Sequence, residues 1–149
     1  MNISVEARHF IEAITSANSY EGDYGDCISN VDAILRDVDD SDKKDVPADY
    51  LEFLANFGFG ELDAAFHVED GLQKYSTIVG RETERYKDAY IFAGSSSGTL
   101  YAFDRKNHWS IIEISSESDD ITTLPGDFSA FILTKLRYIN ELVDWREKN

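Results

Sequence analysis

The amino-acid sequence predicts an α+β protein in which a central, mainly antiparallel β-sheet is flanked by α-helices. Apolar residues recur with a helical period in the first part of the chain, alternate or form short runs in the middle, and return to a helical period at the end. Tight loops join the short runs, and such loops pair strands antiparallel because a parallel pair needs a long crossover. Helices packed on one side of this sheet bury both kinds of apolar face.

Three helices are predicted before the first strand. The first covers about residues 4–17 and the second about 29–38. The third begins at Pro47 and is ended by Gly58 and Gly60, because glycine accepts the left-handed backbone of a helix end. The apolar stripes of the three helices are Ile3, Phe10, Ile11 and Ile14, then Val31, Ile34, Leu35 and Val38, and finally Tyr50, Phe53, Leu54 and Phe57.

The middle of the chain is predicted to form strands. Apolar and polar residues alternate over Leu62–Val68, which indicates a strand with one buried face, and residues 70–88 are expected to form one or two short helices. A meander of three further strands is predicted at Tyr90–Ala93, Thr99–Phe103 and Trp109–Ile114. An amphipathic helix over about 127–145 closes the chain, and its broad face is formed by Phe128, Phe131, Ile132, Lys135, Leu136, Ile139, Leu142 and Val143.

The charge balance argues against two classes of partner. The chain has 14 Lys and Arg against 29 Asp and Glu, a formal net charge of −15. Nucleic-acid affinity comes mainly from Lys and Arg that replace counterions, and anionic membranes attract basic segments, so we expect neither nucleic acid nor a membrane as partner. The charge favours a basic protein instead, because complementary charge speeds association and selects partners.

The chain is predicted to be one cytoplasmic domain over residues 1–149. This length suits a single domain, and the only cysteine, Cys27, cannot form a disulfide within the chain, as expected in a reducing compartment. The first residues lack the basic and then apolar pattern of a signal peptide. No uncharged stretch approaches the ~20 apolar residues of a membrane helix.

The sequence shows no arrangement of catalytic or metal-binding residues. His9, His67 and His108 fall in different predicted elements, and one cysteine is too few for a Cys–His zinc site. The loop Gly94–Gly98 lacks the lysine of a phosphate-binding loop and leads into a strand. The acidic run 37–45 lacks the glycine and the glutamate of a calcium-binding loop. We therefore predict no catalytic residue, no cofactor and no metal.

Three stretches together resemble the SUKH superfamily, the Smi–Knr type of domain. Val46–Gly60 is similar to that family's Leu-Pro start, aromatic helix and glycine-rich end, with valine in place of the usual leucine. Tyr90–Gly94 and Gly98–Asp104 look like the family's paired central strands. Asp127–Ile132 is similar to the start of its closing helix, with the usual Ser-Phe order inverted. The resemblance spans about residues 28–143 and leaves the helix over 4–17 as an extra N-terminal element.

The resemblance implies an α+β domain with a central sheet, flanking helices and no catalytic residues. Bacterial members of the family are commonly immunity proteins that bind and block toxins, often nucleases. Eukaryotic members serve as regulators or scaffolds. The resemblance fixes no common set of partner-binding residues.

The resulting hypothesis is a non-catalytic immunity protein, a monomer or weak dimer, that neutralises a cognate toxin with a basic surface, such as a nuclease. The alternatives are a regulatory or scaffolding module of the same fold and a carboxylate-dependent hydrolase. The partner is expected to contact carboxylates that lie in exposed acidic loops and are not matched with basic side chains. These residues are Asp37, Asp39, Asp40, Asp42, Glu61, Asp63, Glu69, Asp70, Glu117, Asp119 and Asp120.

Overall fold

The computed structural model describes residues 4–81, 83–115, 117–118 and 120–149. Within these ranges the α-helices are α1 Ser4–Thr15, α2 Val31–Ile34, α3 Ala48–Asn56, α4 Tyr75–Val79 and α5 Phe128–Lys148. The strands are β1 Gly60–Asp63, β2 Phe66–Lys74, β3 Ala89–Gly94, β4 Leu100–Asp104, β5 Ser110–Ile114 and β6 Ile121–Leu124. Short 3₁₀ turns occupy Lys43–Asp45, Glu84–Tyr86 and Arg105–Asn107.

The six strands form one antiparallel sheet whose spatial order, β1 to β6, is the order of the sequence. Each strand therefore pairs with the next one along the chain, and the predicted fold class is confirmed. The register places Tyr90 opposite Phe103 and Phe103 opposite Ile111 on one face of the sheet. On the other face, Ile91 lies opposite Ala102, which lies opposite Ile112.

The first face carries the main core, which α1, α3 and α5 cover. Aromatic rings dominate it: the ring of Tyr50 meets that of Phe103 edge-on at 5.5 Å, and Phe92 packs on Phe103 at 4.6 Å. Phe128, the first residue of α5, contacts Tyr50 at 5.4 Å and Phe53 at 5.6 Å. Edge-to-face contacts of this kind add to the free energy gained by burying the rings.

The second face carries a smaller core that the segment 75–86 covers. Ile91, Ile112 and Ile114 are buried there, and Tyr75 packs on Tyr86 at 4.4 Å above them. The prediction of short helices over 70–88 is correct for α4 and for the 3₁₀ turn Glu84–Tyr86. It is wrong for residues 70–74, because β2 continues through an irregularity in its pairing as far as Lys74.

Other element boundaries differ from the prediction for local reasons. α2 is only four residues long, and its cap is Asn30, whose side chain accepts a hydrogen bond from the N–H of Ala33 at 3.2 Å. Trp109 is not part of β5, because its φ of 58° lies in the left-handed region. β6 was not predicted. Ile3, which was assigned to the stripe of the first helix, lies outside the described residues.

Candidate protein-binding cleft

The acidic connector between α2 and α3 is anchored to the sheet rather than free in solvent. The carboxylate of Asp37 is half-buried and accepts hydrogen bonds at 2.7 Å from the backbone N–H of Lys74 and from the hydroxyl of Thr77. Asp39 pairs with the ammonium group of Lys74 at 2.8 Å. Both residues therefore fix the connector to the end of β2 and the start of α4.

Asp42 is the most buried acidic residue of the connector, and the prediction that it is exposed is wrong. It is 8% exposed, and its Oδ2 accepts a hydrogen bond of 2.7 Å from the hydroxyl of Tyr90. Burial and this contact raise the pKa of the Tyr90 phenol. A phenol buried beside the core needs a hydrogen-bond partner, and Asp42 supplies it. Asp40, by contrast, points into solvent and pairs with nearby Lys43 at 3.0 Å.

Asp63 was also predicted to be exposed, and this prediction is wrong. Its carboxylate, at the end of β1, is 7% exposed, forms an ion pair with Arg146 of α5 and accepts a hydrogen bond from the N–H of Ala65 at 2.9 Å. Burial raises the pKa of Asp63, but the hydrogen bonds from Arg146 and Ala65 outweigh it and hold the pKa below its ordinary value. Asp63 thus ties α5 to β1.

Three of the remaining predicted residues, Glu61, Glu69 and Asp70, meet in one cleft of about 490 Å³. Two further carboxylates that the sequence did not single out, Asp23 and Asp26, line the same cleft. Five carboxylates from three segments of the chain therefore converge here: the loop before α2, β1 and β2.

The other predicted residues lie elsewhere. Glu117 and Asp120 are exposed in the turn between β5 and β6, where Ser118 donates a hydrogen bond to the carboxylate of Asp120 at 2.9 Å. Asp119 lies outside the described residues. None of the described residues of this turn lines the cleft.

The cleft exists because the polar loop 19–26 is hydrogen-bonded to β1 and to the residues just before it. The hydroxyl of Tyr20 donates a hydrogen bond to the carbonyl of Glu61 at 3.1 Å, and the carboxylate of Asp23 accepts a hydrogen bond from the N–H of Glu61 at 2.7 Å. Gly60 has a φ of 121°, and a Cβ there would lie 2.8 Å from the Cα of Tyr24. Glycine therefore allows the loop to approach β1 closely enough to bring its two aspartates beside the sheet.

Two cationic groups face these five carboxylates. Arg36, which follows α2, pairs with Asp70 at 2.9 Å, and Nε2 of His67 lies 3.0 Å from Oε1 of Glu69. The hydrogen bond to Glu69 raises the pKa of His67, burial opposes it, and the charges of Glu69, Glu61 and Asp23 raise it further. A surplus of negative charge remains in the cleft even when His67 is protonated. A concave surface of one sign concentrates the electric field and attracts ligands of the opposite sign.

A larger cavity of about 890 Å³ lies beside the turn between β4 and β5, but its charges are mixed. Arg105 and Lys106 on its rim both pair with Asp88, at 2.8 and 3.4 Å. Two of its carboxylates serve the fold: Asp49 accepts hydrogen bonds from the N–H and hydroxyl of Ser129, and Asp127 caps α5 by accepting from the N–H of Ala130. The smaller cleft, in which negative charge is in surplus, is therefore the better candidate for binding a basic partner.

Among the described residues, no group of three or more His, Cys, Asp or Glu side chains is placed to hold a metal ion. No helix in the described ranges has the length and apolar content needed to cross a membrane. Comparison of the chain with family models, with curated proteins and with solved structures finds no match.

Proposed function

We propose that this protein is a non-catalytic binding protein whose acidic cleft receives basic side chains of a partner protein. The observation that carries the proposal is the convergence of Asp23, Asp26, Glu61, Glu69 and Asp70 on one concave surface. The carboxylates of Asp26 and Glu61 are exposed to solvent, so a partner reaches them without any rearrangement of the core.

The partner that suits this cleft best is a basic toxin, and the proposed role is that of an immunity protein acting in the cytoplasm. A nuclease needs a positive groove to hold phosphates, so an acidic protein that fills the groove competes with the substrate through the same charge. The resemblance of residues 28–143 to the SUKH superfamily supports this choice, because immunity proteins are common among its bacterial members. The six-stranded antiparallel sheet with flanking helices agrees with the architecture that the resemblance implies.

A scaffolding module of the same fold is the second candidate, and one observation favours it. Tyr138 and Trp145 of α5 are 51% and 64% exposed and lie seven residues apart, which places them on one side of the helix. Neither residue lines the acidic cleft. Exposed Tyr and Trp side chains are frequent anchors of protein interfaces, and a second surface of this kind suits a protein that joins two partners.

The test is co-purification with candidate toxin domains encoded by neighbouring genes, followed by calorimetric measurement of the affinity for the domain that binds. The informative variant is Asp26→Asn with Glu61→Gln, which removes two exposed carboxylates from the cleft. The matched control is Glu117→Gln with Asp120→Asn, which removes the same charge from the turn between β5 and β6.

We expect the cleft variant to weaken binding by about tenfold or more, since close charge pairs across interfaces contribute about 1.5 kcal/mol or more. The control is expected to bind within about threefold of the wild type, because charges outside the contact surface affect the association rate more than the affinity. Equal affinity of the cleft variant and the wild type contradicts the proposed site, and loss of binding in the control alone moves the interface to the turn.

A further inference from the structure

His67 is the one histidine among the residues that line the acidic cleft. It is half-buried in β2, hydrogen-bonded to Glu69 at 3.0 Å, and it pairs in the sheet register with Glu61 of β1. His9 and His108 lie on α1 and in the turn between β4 and β5, outside the cleft. A protonated His67 therefore places a cation of the protein's own inside the surface that is proposed to receive a partner's cations.

We infer that His67 is the built-in counter-ion of the cleft: it holds a proton while the cleft is empty and releases it when a basic side chain enters. Binding of a basic partner then releases a proton and becomes tighter as the pH rises. This inference rests on the proposed function, because it requires that the ligand of the cleft is cationic.

The charges that face His67 come from every segment packed around it. β2 contributes Glu69 and Asp70, β1 contributes Glu61, and the loop 19–26 contributes Asp23 and Asp26. Arg36 neutralises Asp70, and the strand on the other side, β3, places the uncharged Gly94 opposite His67. The negative carboxylates stabilise the protonated imidazole. When a guanidinium or ammonium group pairs with them, this stabilisation is lost and the imidazole releases its proton.

The direction of the pH dependence follows from the thermodynamic coupling between proton binding and ligand binding. The free protein binds the proton more tightly than the complex does, so the affinity for a cationic ligand rises as the pH passes through the pKa of His67 and levels off above it. A ligand that contains only arginine as its titratable residue stays fully charged throughout.

The experiment is calorimetric titration of the full-length protein with an N-acetylated, C-amidated hexa-arginine peptide between about pH 6 and pH 9. Each pH is measured in two buffers of different ionisation enthalpy, so that the number of protons released on binding is counted directly. The variants are His67→Gln, which keeps an amide donor for Glu69, and His108→Gln as the control outside the cleft.

For the wild type and His108→Gln we expect proton release on binding and an affinity that rises by about threefold or more across this pH range. For His67→Gln we expect no proton release and a flat affinity close to the wild-type value at high pH. Binding without proton release in the wild type, or equal release in His67→Gln, overturns the inference and leaves the proposed function standing. No binding of the peptide at any pH overturns both.

Discussion

Replacement of Asp42 tests the finding that the acidic connector is part of the fold. Asp42→Ala removes the acceptor of the 2.7 Å hydrogen bond from Tyr90 and leaves a largely buried phenol with one contact fewer. A hydrogen bond to a charged group contributes about 1.5–3 kcal/mol, and an unsatisfied buried donor carries a penalty of similar size. The ion contact with Arg105, at 3.8 Å, is too long to add much. We therefore expect Asp42→Ala to lower the free energy of unfolding by about 2–3 kcal/mol.

The assay is urea denaturation followed by tryptophan fluorescence, since Trp109 stacks on Tyr90 at 5.5 Å and reports on this region. Asp40→Ala is the matched control: the side chain of Asp40 is 97% exposed and pairs with the exposed end of Lys43, so a change of less than about 0.5 kcal/mol is expected. Tyr90→Phe and the double variant complete a thermodynamic cycle that isolates the Asp42–Tyr90 contact. If Asp42→Ala and Asp40→Ala have the same small effect, the reasoning about the connector is refuted.

Three other outcomes are expected. Phe53→Ala should lower the free energy of unfolding by about 3–5 kcal/mol, because Phe53 is 1% exposed and packs on Phe57 and Phe128; a loss below about 1 kcal/mol in urea denaturation contradicts this placement. The raised pKa of His67 makes its contribution to stability fully present below its ordinary pKa of 6.5 and lost as the pH rises through the raised value, so the difference in urea midpoint between wild type and His67→Gln should shrink from about pH 6 to pH 9; a constant difference contradicts it. Association with the proposed basic toxin should slow steeply as salt shortens the Debye length from ~30 Å at 0.01 M to ~8 Å at 0.15 M, while dissociation changes less; stopped-flow rates that do not depend on salt exclude electrostatic steering.

The sequence predicts the parts of the fold that depend on local periodicity. The stripe Tyr50, Phe53 and Leu54 places α3 on the core, and two short loops are enough to pair β3, β4 and β5. β6 was not predicted because Ile121–Leu124 shows no alternation of apolar and polar residues. The strand is short and lies mostly exposed at the edge of the sheet. Its strand conformation is set by pairing with β5.

The candidate site is predictable only in part, because the partners of its charges are distant in the sequence. In the sequence, Asp42 is one residue of an acidic run. It is buried because it binds the hydroxyl of Tyr90, which lies 48 positions later. In the sequence, Asp23 is an ordinary loop residue. It lies in the cleft because it accepts a hydrogen bond from the N–H of Glu61, which lies 38 positions later. Glu61 and Glu69 were predicted as carboxylates of exposed acidic loops, whereas the structure places them in β1 and β2. The density of Tyr, Gly and Asp in the loop 19–26 was the available signal for the missing aspartates.

The effect of each carboxylate depends on its place in the fold more than on its share of the net charge of −15. Asp37, Asp42 and Asp63 hold segments together, whereas Asp26 and Glu61 are exposed in the acidic cleft. Three double variants remove the same two charges: Asp37→Asn with Asp42→Asn, Asp26→Asn with Glu61→Gln, and Glu117→Gln with Asp120→Asn. If the cleft is the binding surface, the first lowers stability, the second alone slows association with the toxin and weakens binding, and the third changes neither. Equal slowing by the second and the third variant, with stability unchanged, would show that net charge alone steers the partner, because the long-range field depends on total charge and the contact surface does not.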